Sequence, residues 1–327
     1  MKTRVALIAG GDSGEYEVSL NSAAAVYQQL DKKVYDVYTI YMQKTHWFYE
    51  DEDGAKIQVD KNDFSITIDG QKVLFDVAFI LIHGTPGEDG KLQGYFDLMG
   101  IPYTTSDLFT STLTFKKSFN KHVARSLGIN ITKTIFIAKD DKTSTQELIE
   151  QVGLPCFVKP NKGGSSVGIT KVKKADELHD AIQRAFQEDD EVLVEAYLEG
   201  AEIDCGMYMK EGEIIALPLT EIVPKTEFFD YEAKYLGASD EITPARIDDE
   251  KTRRCQELSA FLYKEFNCKG LVRFDYILKD NVFYFLEVNT IPGLSSASIV
   301  PQQIRYMGKT ETEVYGQLIE EALRERK

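Results

Sequence analysis

The chain has 327 residues, of which 43% are hydrophobic and 28% are charged, an ordinary profile for a globular protein with two or three domains. Its formal net charge of −15 argues against a nucleic-acid partner, because such binding needs clustered Lys and Arg to neutralise phosphates. The longest apolar run, residues 77–82, is too short to cross a bilayer. We therefore expect a cytoplasmic protein without a membrane partner, although an acidic chain can still bind a nucleotide at a local basic site.

The first third of the sequence alternates apolar strand patterns with helical patterns. We predict strands over 4–11, 34–42, 73–84 and 101–105, and helices over 18–30 and 91–100. The apolar start of the chain ends in glycines and acidic residues, which indicates a strand rather than a secretion signal. Strands that alternate with helices predict an α/β domain with a doubly wound parallel sheet, whose ligands bind beyond the carboxyl ends of the strands. The segment GGDSGEYE lies at such an end, but it lacks the GxGxxG spacing of a dinucleotide site.

From residue 106 onward the pattern becomes α+β, so three domains are expected, over 1–105, 106–194 and 195–327. We predict strands over 134–139, 155–160, 168–173, 191–198, 203–210 and 213–222, and helices over 116–128, 144–153, 175–187, 249–266 and 310–326. A polar loop over 224–246 precedes a hairpin over 270–290. The four cysteines form no CxxC pair and no zinc-like spacing, which indicates reduced, buried thiols.

The hairpin predicted over 270–290 carries the most informative polar residues. Side chains two apart on a strand share a face, so Arg273 and Asp275 lie together on one strand, and Glu287 and Asn289 on the other. Carboxylate and carboxamide oxygens without His or Cys suit Mg²⁺ that also binds phosphate oxygens. The alternative is a salt-bridged sheet surface. The first interpretation favours metal-assisted phosphoryl chemistry.

The loop KPNKGGSSVG, residues 159–168, has the glycine spacing of a P-loop but lacks its GK[ST] sequence. Lys159 ends an apolar strand before the glycines, and the loop offers backbone N–H groups and two hydroxyls that suit a phosphate. A structural hairpin turn is the alternative. For Lys117 a solvated surface lysine is the default interpretation, and for Glu195 and Glu202 ordinary surface acids compete with a role in ribose binding.

Five segments together resemble the D-alanine–D-alanine ligases of the ATP-grasp superfamily, in the family's order and over nearly the whole chain. They are GGDSGEYEVSL at 10–20, HGTPGEDGKLQG at 83–94, KPNKGGSSVG at 159–168, FDYEAKYL at 229–236 and EVNTIPGLSSASIVP at 287–301. The resemblance implies an ATP-grasp fold. Residues 1–105 would form the N-terminal substrate-binding domain, 106–194 the central ATP-grasp domain with a glycine-rich lid loop, and 195–327 the C-terminal catalytic and metal-binding domain.

The activity implied by this resemblance is the ATP-dependent condensation of two D-alanines through an acyl phosphate, for peptidoglycan precursor synthesis in the cytoplasm. Two Mg²⁺ ions, replaceable by Mn²⁺, and a homodimer are also implied. The alternative is a related ligase whose second substrate is D-lactate or D-serine. Tyr235 favours an amine nucleophile, because ester-forming relatives carry Phe there. A non-catalytic nucleotide-binding descendant is not favoured, since no metal ligand or phosphate lysine is lost.

The resemblance also implies roles for individual residues. ATP would be bound by Lys117, Lys159, Ser165, Ser166, Glu195, Ala196, Tyr197, Leu198, Glu202 and Lys234. The two D-alanines would be held by Glu17, His83 and Ser298. Arg273 and the backbone N–H of Gly293 would form the oxyanion site, and a hydrogen-bonded triad of Glu17, Ser165 and Tyr235 would close the loops. The metal ligands would be Asp275, Glu287 and Asn289. Lys116 stands where the family commonly has Asp, which leaves open which of the two lysines faces the phosphates.

Overall fold

The computed structural model describes residues 2–164, 167–224 and 239–324. Its strands in chain order are β1 Thr3–Gly10, β2 Tyr35–Gln43, β3 His46–Glu50, β4 Lys56–Gln58, β5 Ser65–Ile68, β6 Gln71–Leu74, β7 Val77–Ile80, β8 Thr134–Ala138, β9 Cys156–Pro160, β10 Thr170–Val172, β11 Glu191–Ala196, β12 Ala201–Lys210, β13 Glu213–Ala216, β14 Thr220–Pro224, β15 Ser239–Ile242, β16 Leu271–Lys279 and β17 Val282–Asn289. Its α-helices are α1 Tyr16–Gln29, α2 Lys91–Met99, α3 Leu108–Phe115, α4 Lys117–Ser126, α5 Thr145–Val152, α6 Leu178–Glu188, α7 Asp249–Glu265, α8 Ile299–Tyr306 and α9 Glu311–Arg324.

The first sheet has the strand order β4-β3-β2-β1-β7. At its centre β1 pairs in parallel with β2 and β7, and its residues from Val5 to Ala9 are fully buried. A parallel strand covered on both faces needs such a continuous apolar run, so the predicted first strand is confirmed. β3 and β4 add an antiparallel edge, which makes the sheet mixed. Residues 10–17 follow β1 at its carboxyl end, as predicted.

Two predictions in this region are wrong. The single strand expected over 73–84 is divided, because β6 pairs with β5 in a separate hairpin while β7 joins β1. The strand expected over 101–105 makes only one bridge, between Ala78 and Tyr103. Pro102 accepts a hydrogen bond from the Ala78 N–H but has no N–H of its own to donate, which limits the extension of a ladder.

The second sheet, with the order β10-β9-β11-β8, is wholly antiparallel. The predicted strands and helices of this segment are present. Its buried apolar core includes residues of β9 and β11 together with α5 and α6. A capping box between Ser144 and Glu147 starts α5, because it satisfies N–H groups that a helix leaves unpaired. The predicted domain boundary at 194/195 falls within β11, and the three-domain division stays a prediction.

The third sheet has the order β15-β14-β12-β16-β17, with β13 also paired to β12. The predicted hairpin is formed by β16 and β17, and it turns through Asp280 and Asn281, which both have positive φ, as a tight hairpin turn requires. The polar loop expected over 224–246 contains β15, and its residues 225–238 lie outside the described ranges. The sequence analysis also missed α3 and α8, which have only eight residues each; four of the eight in α3 are Ser or Thr.

Other expectations concern the cysteines and the membrane. All four cysteines are buried and free, as predicted. Burial raises the pKa of the Cys156 thiol to about 11. In the three described ranges, no helix combines the length and the apolar character needed to cross a membrane.

Candidate active site

Two adjoining cavities lie where the N-terminal loops, the second sheet and the third sheet meet. The larger, of about 360 Å³, is lined by residues of all three parts. The smaller, of about 210 Å³, lies between the second and third sheets. Both cavities are lined by Lys117, Gly163, Gly164, Glu202 and Glu287. A molecule in one cavity would therefore lie directly beside a molecule in the other.

The hairpin of β16 and β17 brings the predicted metal ligands together. Asp275 lies opposite Glu287 in the register, and Arg273 lies opposite Asn289. The Arg273 guanidinium donates through Nε and Nη2 to the two Asp275 oxygens at 2.7 and 2.8 Å, and Asn289 Nδ2 donates to Asp275 Oδ2 at 2.8 Å. Burial would lower the pKa of Arg273, but Asp275 and Asp204 hold it well above its ordinary value.

These oxygen donors fit a hard divalent cation. Two carboxylates and one carboxamide lie at the junction of the cavities, from Asp275, Glu287 and Asn289, and such oxygens are the ligands that Mg²⁺ takes. Over the residues that the structure describes, no group of three or more His, Cys, Asp and Glu side chains is arranged to hold a metal.

The smaller cavity has a buried group of charges on its wall. Glu195 Oε1 accepts from Lys121 Nζ at 2.7 Å, and Glu195 Oε2 is 2.7 Å from Lys159 Nζ. Thr132 Oγ1 also donates to Glu195. Burial would raise the pKa of the Glu195 carboxyl, but Lys121 and Lys159 hold it at about 2. Glu195 is thus a buried anion and not the surface acid that was one of the alternatives.

Lys121 was not predicted from the sequence, although it lies four residues after Lys117 on α4 and therefore on the same helix face. Its side chain is only 2% exposed, as is that of Glu195. The other predicted residues of the smaller cavity lie as expected along its wall: Lys117, Lys159, Ala196, Tyr197, Leu198 and Glu202. Phe157, Ile277 and Leu286 add apolar surface that the sequence did not single out, and a nucleoside base needs such a surface.

We expect Lys121→Met to lower the free energy of unfolding at pH 7 by about 3 kcal/mol, because it leaves the buried Glu195 with one cation fewer. Lys139→Met is the matched control, since Lys139 pairs with Asp190 on the surface and an exposed pair contributes little to stability. Urea denaturation of both variants checks this. Equal losses in the two variants would contradict the role of the buried pair.

Lys117 and Lys116 have different partners, although they are adjacent in the sequence. Lys117 Nζ donates to the Gly163 carbonyl at 2.7 Å and lies 3.6 Å from Glu287 Oε2, so it stands at the junction of the cavities. Lys116 Nζ instead pairs with Glu191 at 2.8 Å and lines neither cavity. Of these two adjacent lysines, Lys117 is therefore the one that lines the cavities.

The larger cavity is entered by Glu15 rather than Glu17. Glu15 lines it, whereas Glu17 is exposed in the first turn of α1. At that position the helix dipole stabilises a negative charge. The Glu15 N–H donates to Ser13 Oγ, which in turn donates to the His83 carbonyl at 2.8 Å. A Cβ added to Gly164 would lie 2.6 Å from Glu15 Oε2. The glycine loop thus approaches Glu15. The predicted triad of Glu17 with Ser165 and Tyr235 stays a prediction, because the two last residues lie outside the described ranges.

His83 and Glu88 line the larger cavity together with Glu15. Burial lowers the pKa of the His83 imidazole, although Glu15 opposes this effect. Nε2 of His83 has no hydrogen-bond partner among the described residues. Burial, followed by the charge of Glu15, raises the pKa of Glu88 to about 8, while its Oε2 accepts from the Gly84 N–H at 2.7 Å. Glu88 lies within the motif HGTPGEDGKLQG, but the sequence did not assign it a role.

The segment after β17 closes the far wall of the larger cavity. Gly293 and Ser298 both line it, as predicted, and the Ser298 hydroxyl is 2.8 Å from that of Ser295. Ser298 is also the N-cap residue directly before α8, so its position is fixed by a regular element. Four predicted residues, Ser165, Ser166, Lys234 and Tyr235, lie outside the described residues.

Comparisons with known proteins agree with this geometry. Models described as D-ala D-ala ligase N-terminus and D-ala D-ala ligase C-terminus match residues 4–106 and 123–320. A D-alanine–D-alanine ligase of Christiangramia forsetii is 44% identical over 326 residues, which cover 100% of both chains. The structure of the VanG D-Ala:D-Ser ligase from Enterococcus faecalis matches with a TM-score of 0.87 at 33% identity, covering 98% of this chain and 100% of that one. The D-alanine–D-alanine ligase from Bacillus anthracis complexed with ATP matches at 0.79 and 29%, covering 99% and 98%.

Proposed function

The chain belongs to the D-alanine–D-alanine ligase family of ATP-dependent ligases that form a peptide bond, and from this premise we propose that it joins two D-alanines in peptidoglycan precursor synthesis in the cytoplasm. The observation that carries the proposal is the junction of the two cavities at Lys117 and Glu287. ATP in the smaller cavity would present its terminal phosphate there, directly beside an amino acid in the larger one.

The first step is the activation of a carboxylate, which is by itself a poor electrophile. An oxygen of the first D-alanine carboxylate attacks the γ-phosphorus, the bond to the β-phosphate oxygen breaks, and ADP leaves. Lys117 and Lys159 supply positive charge to the phosphates, and Glu195 keeps Lys159 in place. Glu15 is proposed to hold the ammonium group of this D-alanine, in place of Glu17, because only Glu15 lines the cavity.

The second step forms the peptide bond. The amine of the second D-alanine attacks the acyl carbon, one proton leaves the nitrogen, and inorganic phosphate departs with the former carboxylate oxygen. Arg273 and the Gly293 N–H are proposed to stabilise the tetrahedral oxyanion, since donors aimed at developing charge lower the barrier most. Ser298 would hold the carboxylate of the second D-alanine. The triad that closes the loops is proposed as Glu15, Ser165 and Tyr235.

Asp275, Glu287 and Asn289 are proposed to hold two Mg²⁺ ions, which Mn²⁺ can replace. Bound there, the ions would neutralise the phosphate charge that repels the attacking carboxylate. The paired strands hold the three side chains close together, because Asp275 lies directly opposite Glu287 and Asn289 contacts Asp275.

For the second substrate we propose an amino acid rather than a hydroxy acid. Tyr235 supports this preference through the family resemblance, while the similarity to a D-Ala:D-Ser ligase keeps D-serine as the alternative. D-Lactate would give an ester. Because a rising pH deprotonates the attacking amine, an amine acceptor should gain on D-lactate as the pH rises.

The purified protein, given ATP, Mg²⁺ and D-alanine as the only amino acid, should release one ADP and one phosphate for each D-Ala–D-Ala formed. Parallel reactions with D-serine or D-lactate added between pH 6 and 9 should still yield mainly the D-Ala–D-Ala dipeptide. ADP release that does not depend on D-alanine, or a mixed product in excess over the dipeptide, would overturn the proposal.

We also propose that the protein acts as a homodimer, as the family resemblance implies. Two large apolar side chains support this, Leu98 on α2 and Phe109 on α3, which are 86% and 81% exposed in the single chain. A second copy of the chain would cover them. Light scattering should then give twice the chain mass of 37.0 kDa, and the mass of a single chain would contradict the proposal.

A further inference from the structure

A buried carboxylate beside Arg273 has no role in the two proposed steps of the reaction. Asp204 lies on β12 directly opposite Asp275 and lines the larger cavity. Its side chain is 2% exposed, and its Oδ2 lies 3.2 Å from Arg273 Nε. A buried carboxylate is unfavourable unless it is paired, so its retention beside this arginine needs an explanation.

Arg273 therefore contacts two carboxylates that are not equivalent. Asp275 binds it with two hydrogen bonds, but Asp275 also accepts from Asn289 and belongs to the oxygen set that suits Mg²⁺. A carboxylate shared with a cation attracts a guanidinium less strongly, because the two positive charges repel each other. Asp204 lies outside that oxygen set. It would thus be the carboxylate that stays with Arg273 when a cation is bound to Asp275.

The backbone at Asp204 is fixed by a hydrogen bond from a neighbouring helix. Gln303 on α8 is fully buried, and its Nε2 donates to the Asp204 carbonyl at 3.1 Å and to Thr220 Oγ1 at 3.1 Å. The close packing of α8 on this strand also requires a glycine at 206, since a Cβ there would lie 2.5 Å from Gln303 Oε1. The backbone at Asp204 is therefore packed against α8, the helix that directly follows Ser298.

We propose that Asp204 is a positioning residue of the oxyanion site, which holds the Arg273 guanidinium against β12 and directed at the acyl oxygen in the larger cavity. The inference rests on the role proposed for Arg273. Asp204 touches no substrate in this account and acts only through the arginine. It would matter most in the step where negative charge develops on the acyl oxygen, and least in ATP binding.

The test is a double-mutant cycle of Asp204→Asn and Arg273→Lys, read out in kcat, the KM for ATP and the inhibition by a phosphinate analogue of D-Ala–D-Ala. The phosphinate is tetrahedral like the intermediate, so its affinity reports on the oxyanion site. We expect Asp204→Asn to lower kcat by about 10- to 100-fold and phosphinate affinity by a similar factor, with the KM for ATP within about twofold of the original. In the Arg273→Lys background the same change should have almost no further effect.

Glu221→Gln is the control, because it breaks an arginine–carboxylate pair of the same sheet, with Arg246 at 2.8 and 3.0 Å, outside both cavities. It should leave kcat unchanged. If Asp204→Asn does not fold, Asp204→Ser replaces it in the cycle. Two results would overturn the inference but not the role of Arg273. One is that the Asp204 substitution lowers kcat as much in the Arg273→Lys background as in the unaltered protein. The other is that the Asp204 variant keeps wild-type kcat while Arg273→Lys is impaired. Wild-type activity of Arg273→Lys would instead overturn the role proposed for Arg273.

Discussion

Glu15→Gln should lower kcat/KM for D-alanine by about 10- to 100-fold, because a hydrogen bond to a charged group contributes about 1.5–3 kcal/mol. The Glu15 carboxylate lines the larger cavity beside His83 and is the group there that we propose to pair with the substrate ammonium. The glutamine keeps the shape of the side chain but not its charge. Initial rates at saturating ATP and varied D-alanine check this.

Glu17→Gln is the matched control for that variant. The two glutamates are two residues apart, but Glu17 is exposed on α1, so its loss should change kcat/KM by less than about twofold, as surface substitutions usually do. If Glu17→Gln were the more damaging change, the assignment read from the motif would stand and the one based on the cavity would fail.

The second large effect is expected from Glu287→Ala, which should lower kcat by about 1,000-fold or more. Glu287 lies at the junction of the cavities, opposite Asp275 and 3.6 Å from Lys117. Its removal takes one carboxylate from the proposed Mg²⁺ site and one partner from Lys117. Steady-state rates over a range of Mg²⁺ concentrations, together with direct Mn²⁺ binding, measure both losses.

A control for this change is Glu213→Ala, which removes an exposed carboxylate from the same sheet. It should leave both kcat and Mn²⁺ binding as they are. Unchanged Mn²⁺ binding in Glu287→Ala, or turnover close to that of the unaltered protein, would rule out the metal assignment. The melting temperatures of both variants show whether the fold is kept.

Much of the fold was predictable because periodicity reports burial directly. The apolar run of β1 and the alternating polar residues of the hairpin identify a central parallel strand and a half-open antiparallel pair. The division between β6 and β7 was not predicted, since a single polar residue, Asp76, interrupts the apolar pattern over 73–82. Only the tertiary pairing of β6 with β5 and of β7 with β1 divides it.

The same limit applies to the residues of the candidate site, because tertiary packing decides some of them. The facing of Asp275 and Glu287 follows from strand alternation and from the hairpin register, so the sequence was sufficient for it. The choice between Glu15 and Glu17 was not, because a motif gives the spacing of two acids but not which one faces a cavity. Lys121 and Asp204 were missed for a related reason. Each is a charge whose partner is distant in sequence, at Glu195 and Arg273, and burial of such a pair is decided by packing.

The central claim is that the larger cavity activates a carboxylate by phosphorylation before the peptide bond forms. The most direct measurement uses D-alanine labelled with ¹⁸O in both carboxylate oxygens, with ATP, Mg²⁺ and the purified protein, followed by mass spectrometry of the released phosphate. Because the departing phosphate takes the former carboxylate oxygen, each phosphate should contain one ¹⁸O atom, and the peptide carbonyl of the dipeptide should keep the other. Dipeptide accompanied by unlabelled phosphate would contradict the account.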